Sequence, residues 1–265
     1  MTTHPVDTGS GKPTAAQVAE NFSDLHPCLS DLQAMAESNR CLYCYDAPCI
    51  TACPTGIDIP TFIRKISTGN AIGAARTILS ENILGGTCAR ACPTEVLCQQ
   101  ACVRNQAEDN AVEIGRLQRY AVDSLMSRGG NHPFSRGPET GRRIAVVGAG
   151  PAGLACAHRA AMLGHDVVIF DAKPKAGGLN EYGLAAYKMA DDFAQREVEF
   201  LLEIGGITIE PNSRLGDNLA LDQLRQQYDA VFLGVGLGRT NAMGVPGEEK
   251  DGVRDAVLFI EDIRQ

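Results

Sequence analysis

Long apolar runs are missing from this 265-residue chain. No uncharged stretch approaches the roughly 18 residues that a membrane helix needs, which excludes a helical span. Residues 1–14 are polar and lack the apolar h-region of a secretory signal. A basic stripe is missing too: the net charge is −8 and is not concentrated, which argues against nucleic acid or an anionic membrane as partner. Tryptophan is absent and aromatic residues make up only 5%, yet an apolar fraction of 44% excludes wholesale disorder. The five histidines lack ligand or catalytic spacing, and no Ser–His–Asp or paired-carboxylate constellation is evident.

What is present divides the chain in three. Residues 1–20, rich in Pro, Thr, Gly, Ser and Ala, read as a mobile arm. Residues 21–130 show no strand-like alternation and read as all-helical. Ser30 and Gln33 form a capping-box pattern at one helix start, and further helices are expected over 60–67, 70–79, 94–103 and 113–126. A linker with prolines and glycines follows at 131–141. From residue 142 to 265 strands and helices alternate. Strands are expected at 144–147, 167–170, 207–210 and 230–235, with helices at 153–163, 191–204 and 219–227. Alternation of this kind implies a mostly parallel sheet with helices on both faces.

Cysteine is the first informative count. Eight of the ten fall between Cys41 and Cys102. One group runs Cys41-x2-Cys44-x4-Cys49-x3-Cys53-Pro54, the other Cys88-x3-Cys92-Pro93-x4-Cys98-x3-Cys102. Without a signal peptide, dense cysteine points to metal binding in a reducing cytosol rather than to disulfides, so the expected location is cytoplasmic. A cubane cluster needs soft thiolates converging on a small volume, and closely spaced pairs supply them. Cys53-Pro54 fits the ferredoxin pattern in which a Cys-Pro serves the other cluster. Two four-cysteine zinc sites would use similar counts, but the Cys-Pro signature and the nucleotide fold favour redox chemistry. Cys98 and Cys102, four apart, would share a helix face. Cys28 and Cys156 stand alone and read as buried small hydrophobes. Gln118 is the polar member of an inward stripe with Ile114, Leu117, Ala121, Val122 and Leu125, and spacing leaves both a core glutamine and a ligand open.

The stretch Ile-Ala-Val-Val before Gly148-Ala149-Gly150-Pro151-Ala152-Gly153 is a strand leading into a GxGxxG turn that opens a helix. Its glycines allow backbone N–H groups to reach a pyrophosphate at the helix N-terminus, and Asp171, about 20 residues on, can bind ribose hydroxyls. Gly177-Gly178-Leu179 resembles the second flavin-contacting turn of two-dinucleotide flavoproteins, so FAD is favoured over NAD. Gly234-Val-Gly236-Leu-Gly238 leads into Asn and Pro and reads as a turn, not a second nucleotide site.

Together, Arg40-Cys41-Leu-Tyr-Cys44, Asp46-Ala-Pro-Cys49, Ala52-Cys53-Pro-Thr, Cys92-Pro-Thr-Glu-Val-Leu-Cys98, Ile114-Gly-Arg-Leu-Gln118-Arg-Tyr and the 148–153 loop resemble the electron-input subunits of bacterial NAD-dependent dihydropyrimidine dehydrogenase. The glutamate synthase small subunit is similar and supplies a rival reading. A non-catalytic scaffold binding zinc and nucleotide is a rival of another class. The resemblance implies a helical di-cluster, ferredoxin-like domain followed by a Rossmann-type FAD domain, with NAD(P)H as donor. It further implies a partner subunit that carries FMN, binds the pyrimidine, and reduces uracil or thymine. Carried over by position, Cys41, Cys44, Cys49 and Cys102 would hold one [4Fe–4S] cluster. Cys53, Cys92, Cys98 and Gln118 would hold the other, leaving Cys88 unligated. Ala91, the 148–153 loop, Asp171, Gly177, Gly178, Leu179, Lys188 and Leu215 match flavin positions, and no residue here is expected to touch the pyrimidine. Family members continue into an inserted NAD(P)H domain, which would begin where this sequence ends. The FAD domain is therefore expected to be incomplete, and an isolated chain of this length to lack the NAD(P)H site.

Overall fold

Apolar spacing and local caps account for the elements of the computed structural model, which describes residues 12–129, 132–238 and 240–265. Thr14 and Gln17 form a reciprocal capping box that starts α1 (Ala15–Asn21), and Ser30 and Gln33 do the same for α2 (Asp31–Ser38). Helix α1 corrects the arm reading for its last residues, because a capped turn forms where composition suggested none; residues 1–11 lie outside the described residues. Pro48 opens the single turn α3 (Pro48–Thr51). Asp58 caps α4 (Ile59–Ser67) and Asn70 caps α5 (Ala71–Glu81). Then come α6 (Gly85–Ala91), the 3-10 turn Thr94–Val96, α7 (Val103–Glu108) and α8 (Ile114–Arg128).

The buried stripe of α4 (Ile59, Phe62, Ile63, Ile66) packs against α5, whose buried face carries the small residues Ala71, Ala74 and Ala75, and α5 packs in turn against α8. The expected helix over 94–103 does not form. Pro93 begins a tight reversal in which the Thr94 carbonyl accepts from the N–H groups of both Leu97 and Gln99. Turns continue to residue 101, so Cys98 and Cys102 share no helix face. Cys28 is exposed, not buried, in the irregular stretch before α2, and Cys156 is half-buried on α9.

The second half holds β1 (Arg143–Val147), α9 (Pro151–Met162), β2 (Asp166–Phe170), α10 (Leu179–Tyr182), α11 (Phe193–Leu202), β3 (Ile207–Glu210), α12 (Leu221–Gln227), β4 (Ala230–Leu233) and α13 (Ala256–Arg264). All strand pairs are parallel in the order β3-β2-β1-β4, with Val147 opposite both Phe170 and Leu233. Strand β1 is thus flanked on both sides, and its carboxyl end opens into the glycine turn, where ligands of such sheets bind. One continuous apolar core joins Phe62, Ile78 and Leu117 of the helical half to Val146, Leu154 and Leu201 of the sheet half.

Candidate cluster and flavin sites

Two residues with left-handed backbone, Tyr43 (φ 51°) and Ala47 (φ 37°), fold the 41–49 segment back on itself. The result is that Cys41, Cys44, Cys49 and Cys102 line one cavity, walled by Ile59, Ile63 and Ile114. Burial raises the Cys41 thiol and pushes Cys49 up to about 11, with neighbouring Cys41 and Cys102 adding to the effect. Thiolates crowded in an apolar wall are disfavoured unless cationic metal lies among them, so the donor set fits a metal-bound state. Among the described residues no three Cys, His, Asp or Glu side chains close on a point as a single ion requires.

The second group surrounds α6. Burial pushes Cys98 up to about 12, and Cys53 and Cys49 act on it next. Cys92 is held low chiefly by a hydrogen bond from Cys88, against burial and the nearby Cys98 and Cys53. Gln118 is 5% exposed among Ile114, Leu117, Ala121 and Val122, and Leu125 continues their face, half-buried. Its Nε2 donates to the Gly85 carbonyl at 2.9 Å, and its amide also lies against the Cys88 thiol. Gln118 therefore stands beside the cysteine helix rather than in featureless core.

The glycine turn is built by exclusion. Gly148 has φ 103°, and a Cβ there would overlap the Gly234 carbonyl; a Cβ at Gly153 would overlap the Gly148 carbonyl oxygen. Gly150 caps α9 without a side chain and Pro151 occupies its first turn, so the N–H groups of Ala152 and Gly153 face the turn unscreened. The buried Ala149 donates its N–H to Asp171 at 2.5 Å and accepts from the Gly177 N–H at 2.8 Å. Asp171 also accepts from the Lys173 N–H at 2.7 Å, so its carboxylate braces the loop. Gly178 (φ 54°) packs on Gly150, where a Cβ would come within 2.7 Å of its Cα. The two glycine turns therefore meet, and Leu179 beyond them is exposed. Backbone approach this close is what a pyrophosphate site needs.

Three expected flavin positions are less central. Ala91 is half-buried at the end of α6, next to Cys92. Lys188 is half-buried in a turn closed by its N–H to the Ala185 carbonyl. Leu215 packs beneath the sheet against the cluster of Ala145, Val147 and Leu224. Sequence reasoning missed Glu197, which is 2% exposed on α11 and bonded to the start of α6. The signal was legible: Phe193, Ala194, Glu197, Val198 and Leu201 form one inward stripe with a carboxylate inside it.

Residues 18–130 match the family described as dihydropyrimidine dehydrogenase domain II, 4Fe-4S cluster, and residues 142–263 match pyridine nucleotide-disulphide oxidoreductase. The chain is 38% identical over 248 residues to the NAD-dependent dihydropyrimidine dehydrogenase subunit PreT of Salmonella typhimurium strain LT2, covering 93% of this chain and 59% of the relative. The Escherichia coli K12 PreT protein gives 38% over 247 residues, again 59% of its length. The small chain of Escherichia coli K12 glutamate synthase [NADPH] gives 36% over 239 residues, 90% of this chain and 50% of the relative.

The chain is similar to these subunits over about nine-tenths of its own length.

It carries a helical [4Fe–4S] domain followed by an FAD-binding domain of the pyridine nucleotide-disulphide oxidoreductase type. It spans 59% of the length of the PreT relatives it matches. No helix among the described residues is long and apolar enough to cross a membrane.

Proposed function

We propose that this chain is an electron-transfer subunit that passes electrons from NAD(P)H through FAD and two [4Fe–4S] clusters to a partner. The partner would hold FMN and reduce uracil or thymine to the 5,6-dihydropyrimidine. The observation that carries the reading is the cavity lined by Cys41, Cys44, Cys49 and Cys102, in one chain with the paired glycine turns. Bound together, the two kinds of group would convert a two-electron hydride donor into single-electron steps.

This chain's own residues bind and orient. Cys41, Cys44, Cys49 and Cys102 would hold the first cluster; Cys53, Cys92, Cys98 and Gln118 would hold the second. The N–H groups of Ala152 and Gly153 would face the FAD pyrophosphate, and Asp171 keeps that loop in shape. The apolar walls around Cys49 and Cys98 would keep water from the bound thiolates and so tune the potential of the groups they hold. The match of residues 18–130 to a 4Fe-4S cluster family favours a polynuclear group over mononuclear zinc.

Anaerobic preparations should contain about eight iron and about eight acid-labile sulfide per chain, the content of two cubanes. Stoichiometric zinc without sulfide would return the chain to the scaffold reading. With an FMN-containing partner from the same cell, and with the flavin photoreduced in place of NAD(P)H, loss of uracil absorbance is expected. Glutamate formation in its place would identify a glutamate synthase assembly.

A further inference from the structure

Helix α11 touches both sites. Near its start Gln195 donates to the Ala176 carbonyl at 2.8 Å, next to the Gly177–Gly178 turn, and to Glu181 at 2.9 Å. Two residues on, Glu197 crosses to the helical half. Its Oε1 accepts from the N–H groups of Gly86 at 2.8 Å and Thr87 at 3.0 Å, and its Oε2 bonds the Thr87 hydroxyl. These are first-turn donors of α6, which have no partner within their own helix. Helix α6 then runs through Cys88 to Ala91, with Cys92 as its C-terminal cap.

The seat is built around this contact. A Cβ on Gly86 would overlap the Phe193 ring and stand 2.9 Å from Glu197 Oε1, so only glycine allows the approach. Arg90, 8% exposed, lies 3.4 Å from the Phe193 ring centroid and pairs with Asp123 at 2.8 Å. No cation among the described residues pairs with Glu197 within salt-bridge distance. A buried carboxylate satisfied mainly by the amides of another domain is costly to keep unless its placement matters.

We propose that Glu197 is a positioning residue that fixes the flavin-side turn at Ala176–Gly178 relative to helix α6 and Cys92. This rests on the reading that the glycine turns hold FAD and Cys92 holds a cluster. Glu197 touches neither group. It acts through α6 and α11, and its effect is on how fast an electron passes between the two sites.

The test uses the protein loaded with its own clusters and FAD. Photoreduction of the flavin followed by rapid-freeze spectroscopy gives the rate of cluster reduction in the parent and in Glu197→Leu and Glu197→Gln. Gln keeps the shape, accepting from the two N–H groups and donating to the Thr87 hydroxyl, so it should retain the parent rate. Leu removes all three bonds and should slow transfer by about tenfold, as loss of a positioning contact does. Iron, sulfide and flavin contents should stay at parent levels, and the amides of Gly86 and Thr87 should lose protection from hydrogen exchange. If Leu prevents assembly, Thr87→Val removes the hydroxyl bond alone and should slow transfer less, at full cofactor content. Parent rates in Glu197→Leu, or in Thr87→Val where that variant stands in, overturn the inference. A parent protein that takes up no flavin or no clusters contradicts the functional reading instead.

Discussion

Gln118 is the residue at which a single atom changes the chemistry. With its Nε2 committed to the Gly85 carbonyl, the amide oxygen is the atom free to serve as a neutral ligand. A neutral ligand in place of a thiolate leaves a cluster less negative and raises its potential. Gln118→Cys should therefore lower the potential of one cluster and leave the other nearly unchanged, as redox titration followed by electron paramagnetic resonance will show. Gln118→Leu should broaden or abolish the signal of that same cluster. Parent spectra and potentials in the Leu variant would make Gln118 a core glutamine. Spacing put Gln118 on an inward stripe, but its position beside Cys88 depends on α6 packing against α8, which no local pattern specifies.

Among elements, those with their own caps and periods were the legible ones. The Ser30–Gln33 box forms as its spacing suggests, and β3 has the expected bounds. Helix α6 went unread because Gly85-Gly86 at its start looks like loop, although glycine there is what admits Phe193. The expected helix at 94–103 failed for the opposite reason. Its residues have adequate propensity, but the backbone leaves helical geometry at Leu97 (φ −123°, ψ −111°), after which Cys98 turns inward, to 6% exposure. Helix α4 offers a direct measure of packing at this scale. Phe62, fully buried on that helix, is a large side chain in the shared core, and Phe62→Ala should cost about 3–5 kcal/mol in thermal or denaturant unfolding. Arg64, on the same helix but placed over the Tyr43 ring at the surface, should tolerate Ala with little loss.

At the scale of the whole molecule, Glu197 links the joint between the halves to pH. Burial pushes its carboxyl up to about 7, against the lowering effect of its hydrogen bonds to Thr87 and Gly86. The folded state then holds this proton more tightly than the unfolded chain. The advantage is complete below the ordinary carboxyl range near 4.5 and is lost as pH rises through about 7. The loss can reach about 3 kcal/mol above that range, taking 1.36 kcal/mol per unit. Melting profiles of the parent should therefore fall between about pH 4.5 and 7 more steeply than those of Glu197→Gln, and run parallel to them above that. Equal slopes would show that Glu197 keeps an ordinary acidity in the fold. None of this was legible from composition, because a charge becomes costly only when tertiary packing removes its water.

The overlap at Gly153 has a genetic reading. Every other amino acid carries a Cβ, and at Gly153 that atom would fall on the Gly148 carbonyl oxygen. The backbone cannot yield there without moving β1, which is hydrogen-bonded on both sides. At Gly238 a Cβ would meet nothing within 4 Å, and the backbone is not left-handed. In a library holding all nineteen replacements at each site, selected for folded, flavin-loaded protein, the Gly153 column should come out empty and the Gly238 column nearly full. A lineage carrying this chain can drift freely at one glycine and not at all at the other.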